Sequence, residues 1–189
     1  VSTNQMTNVV VTNYVNGSNS ITTNSISTLG ILWHTVDPRP VTNDLQGVCY
    51  ARDTWVVSGG KGKILTSQDA LTWKVLSTPT TSFLSSVAAY PGGWIAVGDL
   101  GAILTSADGQ SWSLQNSGTT HWLYRVRYLN GILFAVGEQG VILTSEDGHA
   151  WISRNSGTTR WLNDIALFEG HYVVLGTQGT VLTSTDTLH

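Results

Sequence analysis

Four side chains in the middle of the chain have the chemistry to bind a ligand. Tyr124, Arg125 and Arg127 stand where the neighbouring repeats carry small or neutral residues, and Asp164 lies one repeat further on. Guanidinium groups pair with carboxylates through two parallel hydrogen bonds, so the arginines predict a pocket for an anionic or carbohydrate ligand. The alternative is structural: Arg125 aligns with Asp164 at the repeat interval, and this alignment predicts an ion pair between neighbouring units.

An aromatic residue recurs just before three predicted strands, at Phe83, Trp122 and Trp161. Recurrence at the repeat interval is typical of packing between neighbouring units. The same rings could instead form a platform for a sugar or a peptide, because an indole combines a large apolar face with a polar edge. Both interpretations are open, and Trp122 and Trp161 complete the candidate ligand-binding set.

No set of residues in the sequence has the spacing of a catalytic or metal site. Glycoside hydrolysis needs two facing carboxylates, and Asp164 has no partner on a predicted inner strand apart from Asp44. The five histidines are dispersed without the spacing of metal ligands. No glycine-rich stretch precedes a helix, as a nucleotide phosphate site would require. We therefore expect no enzymatic activity, no metal and no cofactor.

The candidate residues are positioned by a repeat of 39 residues. One copy runs from Gly137 to Trp151, and it recurs from Gly98 to Trp112, from Gly59 to Trp73 and from Gly176 to His189. A period in this range with strand-like content is typical of a propeller or solenoid array. No long 3.6-residue period appears, so the sequence predicts an all-β fold.

Each copy predicts a hairpin followed by a tight turn. The Gly-x-x-Gly motif is predicted to supply the positive φ angles of the hairpin. The adjacent apolar residues Ile64 and Leu65 must point to opposite faces, which predicts a sheet buried on both sides. In the tight turn, the Ser and Asp side chains can accept backbone N–H groups, and the Trp is predicted to be buried. The structural residues of this turn are Ser67, Asp69, Trp73, Ser106, Asp108, Trp112, Ser145, Asp147, Trp151, Ser184 and Asp186.

These turns resemble the Asp-box, or bacterial neuraminidase repeat, of sialidases, sortilin-like receptors, some glucanases and a photosystem II assembly factor. The resemblance covers residues 33–189. Ser-x-Asp-Gly-x-x-Trp is one residue shorter here than the family pattern Ser-x-Asp-x-Gly-x-x-Trp, and the copy at Asp69 lacks the glycine. The resemblance implies a propeller in which the box is a structural turn away from the ligand face.

Each 39-residue unit is predicted to form a four-stranded antiparallel blade, which gives four blades in this chain. A strand predicted at Ile31 to Val36 precedes the first unit, and the last unit lacks an outer strand that this strand could supply. Three outcomes are open. The ring could close on itself with four blades, the chain could be part of a larger ring, or residues 1–36 could join molecules into a homo-oligomer or filament.

Residues 1–32 differ from the repeats in composition. They contain no charged side chain and are rich in Ser, Thr and Asn, so we interpret them as an N-terminal β-segment or linker that precedes the repeats at 33–189. Within this segment, Val9 to Val15 predicts a strand, Asn16 to Ser20 an Asn-Gly turn, and Ile21 to Thr23 a second strand.

The overall charge is low and slightly negative. Charged residues make up 11% of the chain and the net charge is −3, so no nucleic-acid partner is expected. The longest apolar runs are strand-sized, so no membrane insertion is expected. A surface of Ser, Thr, Asn and Gly is common in secreted β proteins. It predicts an extracellular or cell-surface location, with a periplasmic or lumenal one as the alternative.

The sequence predicts a non-catalytic binding, adhesion or structural module of a bacterial surface or secreted protein, with a protein or carbohydrate partner. The alternative, from the resemblance, is a scaffold or chaperone for a membrane protein complex. In that case a basic patch formed by Arg125, Arg127, Arg154 and Arg160 would meet the client. A third hypothesis is a sialidase-like glycoside hydrolase fragment.

Overall fold

The computed structural model describes residues 14–15, 18–19 and 35–186, and the chain divides into two compact units, Val1–Thr35 and Val36–His189. In the first unit, β1 (Tyr14–Val15) pairs antiparallel with β2 (Ser18–Asn19). The predicted turn from Asn16 to Ser20 is too long, since Ser18 and Asn19 already pair as a strand. The second strand was predicted later, at Ile21 to Thr23. Those residues lie outside the described ones, and the pairing that is described joins Val15 to Ser18 and Tyr14 to Asn19.

The second unit consists of four antiparallel sheets that follow one another along the chain. The first sheet contains β3 (Leu45–Ala51), β4 (Thr54–Gly59), β5 (Ile64–Ser67) and β6 (Lys74–Leu76). The second contains β7 (Leu84–Tyr90), β8 (Gly93–Gly98), β9 (Ile103–Ser106) and β10 (Ser113–Gln115). The third contains β11 (Leu123–Leu129), β12 (Ile132–Gly137), β13 (Ile142–Ser145) and β14 (Ile152–Arg154). The fourth contains β15 (Leu162–Phe168), β16 (His171–Gly176) and β17 (Val181–Ser184).

The sheets are the blades of a β-propeller. Within each sheet the strands pair in chain order, and the first strand of each sheet contacts the first strand of the next. The first strands are therefore the inner ones, and β6, β10 and β14 are the outer ones. The prediction of an all-β propeller built from 39-residue units is confirmed.

The core lies between successive sheets, in three separate apolar clusters. Because a sheet in the middle of the array has a neighbour on each side, adjacent residues of one strand are both covered. Ile103 and Leu104 of β9 are fully buried on opposite faces, and each belongs to a different cluster. This two-sided burial is the physical reason that the strand sequences are continuous apolar runs and do not alternate between apolar and polar residues.

The Gly-x-x-Gly turns differ in detail from their prediction. The motif was expected to supply the positive φ angles; Gly101 does so, whereas Gly98 is extended and the other left-handed residue is Leu100. Gly98 is required for another reason: a Cβ at this position would overlap the carbonyl oxygen of Phe83. The first glycine therefore lets the hairpin approach the loop that enters the inner strand.

The tight turn after each third strand is organised by its aspartate. Ser106 Oγ donates to Asp108 Oδ1 at 3.0 Å, and the same oxygen accepts the backbone N–H groups of Gln110 and Ser111, each at 2.8 Å. These bonds favour the carboxylate and lower the pKa of Asp108 to about 2. The following Trp112 is buried, so the turn is held against the sheet by both polar and apolar contacts.

The other copies of this turn vary in burial and bonding. Trp73 and Trp151 are half-buried, and their indole N–H groups donate to the carbonyls of Ala70 and Gly148, both at 3.1 Å. In the fourth copy, Ser184 Oγ donates to the backbone carbonyl of Asp186. In the first three copies, Ser67, Ser106 and Ser145 donate to the carboxylate of the turn aspartate.

Among the described residues, β3 of the first sheet and β15 of the fourth do not pack together as successive inner strands do, so this part of the chain does not form the closed four-bladed ring. The outward faces of the first and fourth sheets both expose large apolar side chains, which closure would bury. The fourth sheet has three strands among the described residues. Thr35 and Val36 lie in no strand, and the rest of the strand predicted at Ile31 to Val36 lies outside the described residues.

Candidate functional site

The candidate residues gather on the face of the propeller where loops enter the inner strands. The Gly-x-x-Gly turns lie on the same face, because their backbone N–H groups bond the carbonyls of the recurring aromatic residues. Glu138 N–H donates to Trp122 O, and Thr177 N–H donates to Trp161 O, both at 2.8 Å. The aspartate turns follow the third strands at their far ends, so they lie on the opposite face.

Four aromatic rings on this face form an aromatic cluster, which consists of Phe83, Trp122, Tyr124 and Trp161. The ring centroid of Trp122 lies 6.0 Å from that of Phe83, 5.7 Å from Tyr124 and 6.3 Å from Trp161. Tyr124 and Trp161 are 6.5 Å apart. Trp161 is 38% exposed and the other three rings are half-buried, so the rings pack together and still present surface to a ligand.

Trp122 is fixed in place by hydrogen bonds to two neighbouring elements. Its indole N–H donates to Ser85 Oγ at 3.0 Å, and the Ser85 hydroxyl donates to Leu123 O at 2.7 Å. Its backbone N–H donates to Glu138 Oε2 at 3.2 Å. Such bonds hold the ring at the centre of the cluster in one orientation, which lowers the entropy cost of binding a ligand.

Tyr124 reaches the cluster because of a β-bulge. The register between β11 and β12 shifts between Leu123 and Arg125, which leaves Tyr124 as the extra residue. The other inner strands shift at the equivalent position, where they carry smaller or polar residues. Those residues are Gln46, Ser85 and Asn163. The bulge therefore directs an aromatic ring onto this face only in the third sheet.

Two arginines and one aspartate lie on the inner strands of the third and fourth sheets. Arg127 donates from Nε to Asp164 Oδ1 at 3.0 Å and from Nη2 to Oδ2 at 2.7 Å. The Nε of Arg125 lies 3.6 Å from Asp164 Oδ1 and has no hydrogen-bond partner among the described residues. The ion pair predicted between Arg125 and Asp164 is therefore confirmed, and Arg127 shares the same carboxylate through two hydrogen bonds.

The ion pair shifts the pKa values of both partners. Burial raises the pKa of Asp164, but the hydrogen bonds from Arg127 and from the Ile165 backbone outweigh it, and the net shift is downward. The hydrogen bond from Asp164 raises the pKa of Arg127. The carboxylate is thus ionised at neutral pH, and one carboxylate faces two guanidinium groups.

The four arginines proposed as a basic patch do not lie together. Arg154 is on the outer strand β14, three strand spacings or about 14 Å from β11, and its Nε donates to Thr144 Oγ1. Arg160 lies in the loop just before β15, on the face of the aromatic cluster. Of the four, Arg125 and Arg127 are brought together, because both pair with Asp164.

Two residues of this face were missed at the level of sequence. Glu138 accepts the backbone N–H of Trp122, and the Nδ1 of His121 lies 3.9 Å from Glu138 Oε2. The sequence places Glu138 in a hairpin turn, and its proximity to the aromatic cluster depends on the docking of that turn onto the next loop. Only the weak recurrence of an acid at Asp99 and Glu138 could have indicated it.

The part of the chain that the structure describes contains no group of three or more His, Cys, Asp and Glu side chains arranged to hold a metal ion. Across the same residues, no helix is long and apolar enough to cross a membrane. Asp44 directly precedes the first sheet and Asp164 lies in the fourth, so these two carboxylates are at opposite ends of the array.

No protein-family model and no curated protein matches the sequence, whereas solved structures match the fold. YCF48 from Cyanidioschyzon merolae superposes with a TM-score of 0.62 at 18% identity, over 78% of this chain and 55% of that one. YCF48 bound to D1 peptide superposes with a TM-score of 0.62 at 19% identity, over 77% and 52%. The computationally designed Ika4 protein has a TM-score of 0.62 at 12% identity, over 82% and 98%.

At these identities the likeness shows the fold alone. The chain spans about half the length of the two YCF48 chains it matches and nearly all of the designed one. The comparisons and the strand order agree on one conclusion, that this chain folds as β-propeller blades.

Proposed function

We propose that this propeller is a non-catalytic binding module that holds an extended segment of a client protein, as a scaffold in the assembly of a larger complex. The observation that carries the proposal is the aromatic cluster, in which rings from three successive sheets meet on one face. Arg125 directly follows Tyr124 of this cluster on β11, and its Nε has no hydrogen-bond partner among the described residues.

The chemistry of this face suits a peptide. Half-buried tryptophan and tyrosine rings are the side chains that contribute most to protein interfaces, because they bury large area at low entropy cost. Arg125 can pair with a carboxylate of the peptide, since Asp164 already receives both hydrogen bonds of Arg127. We therefore expect the preferred segment to carry apolar side chains and one acidic group.

The comparison with solved structures supports the same class of partner. One of the propellers that share the fold was solved with a bound D1 peptide. The identity of 19% transfers no binding residue, so the proposed site rests on the residues of this chain.

A second candidate function is adhesion through a glycan on an extracellular or bacterial surface. The charge-poor composition, with 11% charged residues, favours this candidate, and stacked indoles also suit sugar rings. A periplasmic or lumenal location, the alternative expected from the sequence, would suit the peptide-binding scaffold better than the glycan-binding module. A glycosidase fragment is the weakest of the three, because Asp44 and Asp164 are at opposite ends of the array.

The two candidates are separated by screening the protein against a peptide array and a glycan array. Under the scaffold proposal, peptides bind, and Trp161→Ala and Arg125→Gln each weaken binding at least tenfold. The matched controls Leu114→Ala and Arg154→Gln alter an exposed apolar residue and an arginine on outer strands, and they should leave binding unchanged. Binding to glycans alone would establish the adhesion candidate instead.

A further inference from the structure

A cleft of about 350 Å³ lies between the first and second sheets, on the face of the aspartate turns. Residues of β4, β5, β6 and the first aspartate turn line it, together with Gln110 from the aspartate turn of the second sheet. Ligand pockets in proteins have volumes of about 300–1,000 Å³, so this cleft has room for a single ring. It is on the face opposite the aromatic cluster and is therefore separate from the proposed peptide site.

The hydrogen bonds at the cleft depart from those of the next sheet. In the second sheet, Gln115 on the outer strand donates from Nε2 to Thr105 Oγ1 at 2.8 Å. Thr66 is the repeat equivalent of Thr105, but the outer strand of the first sheet carries Leu76 in place of the glutamine, and a leucine has no group to donate. The hydroxyl of Thr66 instead accepts a long bond of 3.4 Å from Gln110 Nε2, across the cleft from the second sheet.

Two further polar side chains at the cleft are absent from the equivalent positions. Lys74 stands where the later sheets carry Ser113 and Ile152, and Gln110 stands where the third sheet carries His149. Lys74 Nζ donates to Gln110 Oε1 at 2.8 Å, so the two side chains hold each other in place. An ammonium group has three donors and a primary amide has two, so both residues keep a donor for a ligand.

The rest of the lining adds an aromatic face and a carboxylate. Trp73 is half-buried, and its indole N–H already donates to Ala70 O at 3.1 Å, so the part it can offer to a ligand is its apolar ring face. Asp69 Oδ1 accepts the backbone N–H groups of Leu71 and Thr72, which leaves Oδ2 to accept from a ligand. Lys74 and Asp69 are the charged residues of the lining, so their charges balance.

We propose that this cleft is a second binding site, and that its ligand is one neutral sugar ring. A pyranose has an apolar face of C–H groups, which can pack on an indole, and hydroxyl groups that both donate and accept. Lys74 and Gln110 donate to its oxygens, Asp69 accepts from a hydroxyl, and Trp73 packs on its C–H face. A charged ligand is disfavoured, because it would meet a like charge on either Lys74 or Asp69.

The test is fluorine NMR of the protein labelled with 5-fluorotryptophan, titrated with the methyl glycosides of glucose, galactose, mannose and N-acetylglucosamine. At least one glycoside is expected to shift the Trp73 signal saturably. Lys74→Met and Gln110→Ala are each expected to weaken that binding by about three- to tenfold, the effect of losing a hydrogen bond. Both residues are exposed, so the variants should fold, and urea unfolding checks this.

Ser113→Ala and His149→Ala are the matched controls, because they alter the repeat equivalents of Lys74 and Gln110 outside the cleft, and they should leave sugar binding unchanged. A Trp73 signal that none of the four glycosides shifts would overturn the proposal, and so would a shift that Lys74→Met and Gln110→Ala leave unaltered. Shifts confined to Trp122 and Trp161 would also overturn it and would favour glycan binding at the aromatic cluster. A failure of peptide binding concerns only the function proposed for the opposite face.

Discussion

Arg127 and Asp164 join the inner strands of the third and fourth sheets through two hydrogen bonds, from Nε to Oδ1 at 3.0 Å and from Nη2 to Oδ2 at 2.7 Å. This geometry is the fork-to-carboxylate pairing that arginine favours. Because Asp164 is bonded to Arg127, the two arginines on β11 have different roles. Arg127 links two sheets, and Arg125 is the guanidinium group that we assign to the ligand.

This difference predicts separate effects of the two arginines on stability and on binding. Arg127→Gln should lower the free energy of unfolding by about 0.5–1 kcal/mol, since the pair is partly exposed and its Coulomb energy is screened. A double-mutant cycle with Asp164→Asn, measured by urea unfolding, should give a coupling energy in the same range. Arg125→Gln should leave stability nearly unchanged and weaken peptide binding. A coupling energy of zero would show that the pair of Arg127 and Asp164 does not stabilise the fold.

The aspartate turns predict a loss of stability in acid. Hydrogen bonds from backbone N–H groups and a serine lower the pKa of Asp69 and Asp108 to about 2, from an unfolded value near 4. Because the folded-state pKa is lower, this stabilisation is present above the unfolded value and is lost as the pH falls through the folded one. The urea midpoint should therefore fall between pH 4 and pH 2.

Substitution of Asp108 tests that mechanism. Asp108→Ala removes the acceptor of Gln110 N–H and Ser111 N–H and should lower the urea midpoint at pH 7. Asp108→Asn keeps a neutral acceptor and should lower the urea midpoint at pH 7 by less than Asp108→Ala does. In both variants, the decrease of the urea midpoint between pH 4 and pH 2 should be smaller than in the wild type. Glu146→Gln removes a carboxylate from the equivalent turn of the third sheet and is the control. The account is wrong if Asp108→Ala and the wild type have parallel pH profiles.

We expect Arg52 to stabilise the fold by stacking on Trp94, on the face opposite the aromatic cluster. Its Nη2 donates to Pro91 O at 2.7 Å and to Tyr90 O at 3.2 Å, and its guanidinium carbon lies 5.2 Å from the Trp94 ring centroid. Arg52→Lys keeps the charge but loses the planar fork, so it should cost about 0.5–2 kcal/mol in thermal or urea unfolding. Arg39→Lys is the matched control, as Arg39 is exposed in the segment before the first sheet. Equal effects of the two substitutions would contradict the stacking role.

The core between sheets predicts a strong contrast between two leucines of the second sheet. Leu104 is fully buried, and Leu104→Ala should cost about 2–5 kcal/mol through lost burial and the cavity left behind. Leu114 is exposed on the outer strand, and Leu114→Ala should change stability by less than about 0.5 kcal/mol. Chemical denaturation measures both. Similar costs would mean that the sheets do not pack as described.

The repeat and its apolar runs were enough to predict the strands, because covering both faces of each sheet imposes the same pattern on each copy. Ile64, Ile103 and Ile142 all follow a Gly-x-x-Gly turn and all begin a third strand. The turn conformation was harder to predict. Positive φ at Leu100, and not at Gly98, depends on how closely the turn approaches the Phe83 carbonyl, which is a tertiary contact.

The candidate site was predicted in its members and in one of its pairings, the ion pair of Arg125 with Asp164. Trp122, Tyr124 and Trp161 do meet, but the bulge that turns Tyr124 towards them leaves no mark in the spacing. Arg127 reaches Asp164 from two positions beyond its repeat equivalent, since a long side chain crosses between sheets on a diagonal. Alignment of the repeats compares equivalent positions, so it predicted Arg125 as a partner of Asp164 and did not predict Arg127.

The most direct test of the proposed site is fluorine NMR of the protein labelled with 5-fluorotryptophan, titrated with the tightest peptide from the array. The eight tryptophans give eight signals, each assigned by single substitution. We predict that the signals of Trp122 and Trp161 shift on binding and that those of Trp73, Trp112 and Trp151, on the aspartate turns, do not. Shifts confined to the aspartate-turn tryptophans would contradict the account, since they would place the ligand on the opposite face.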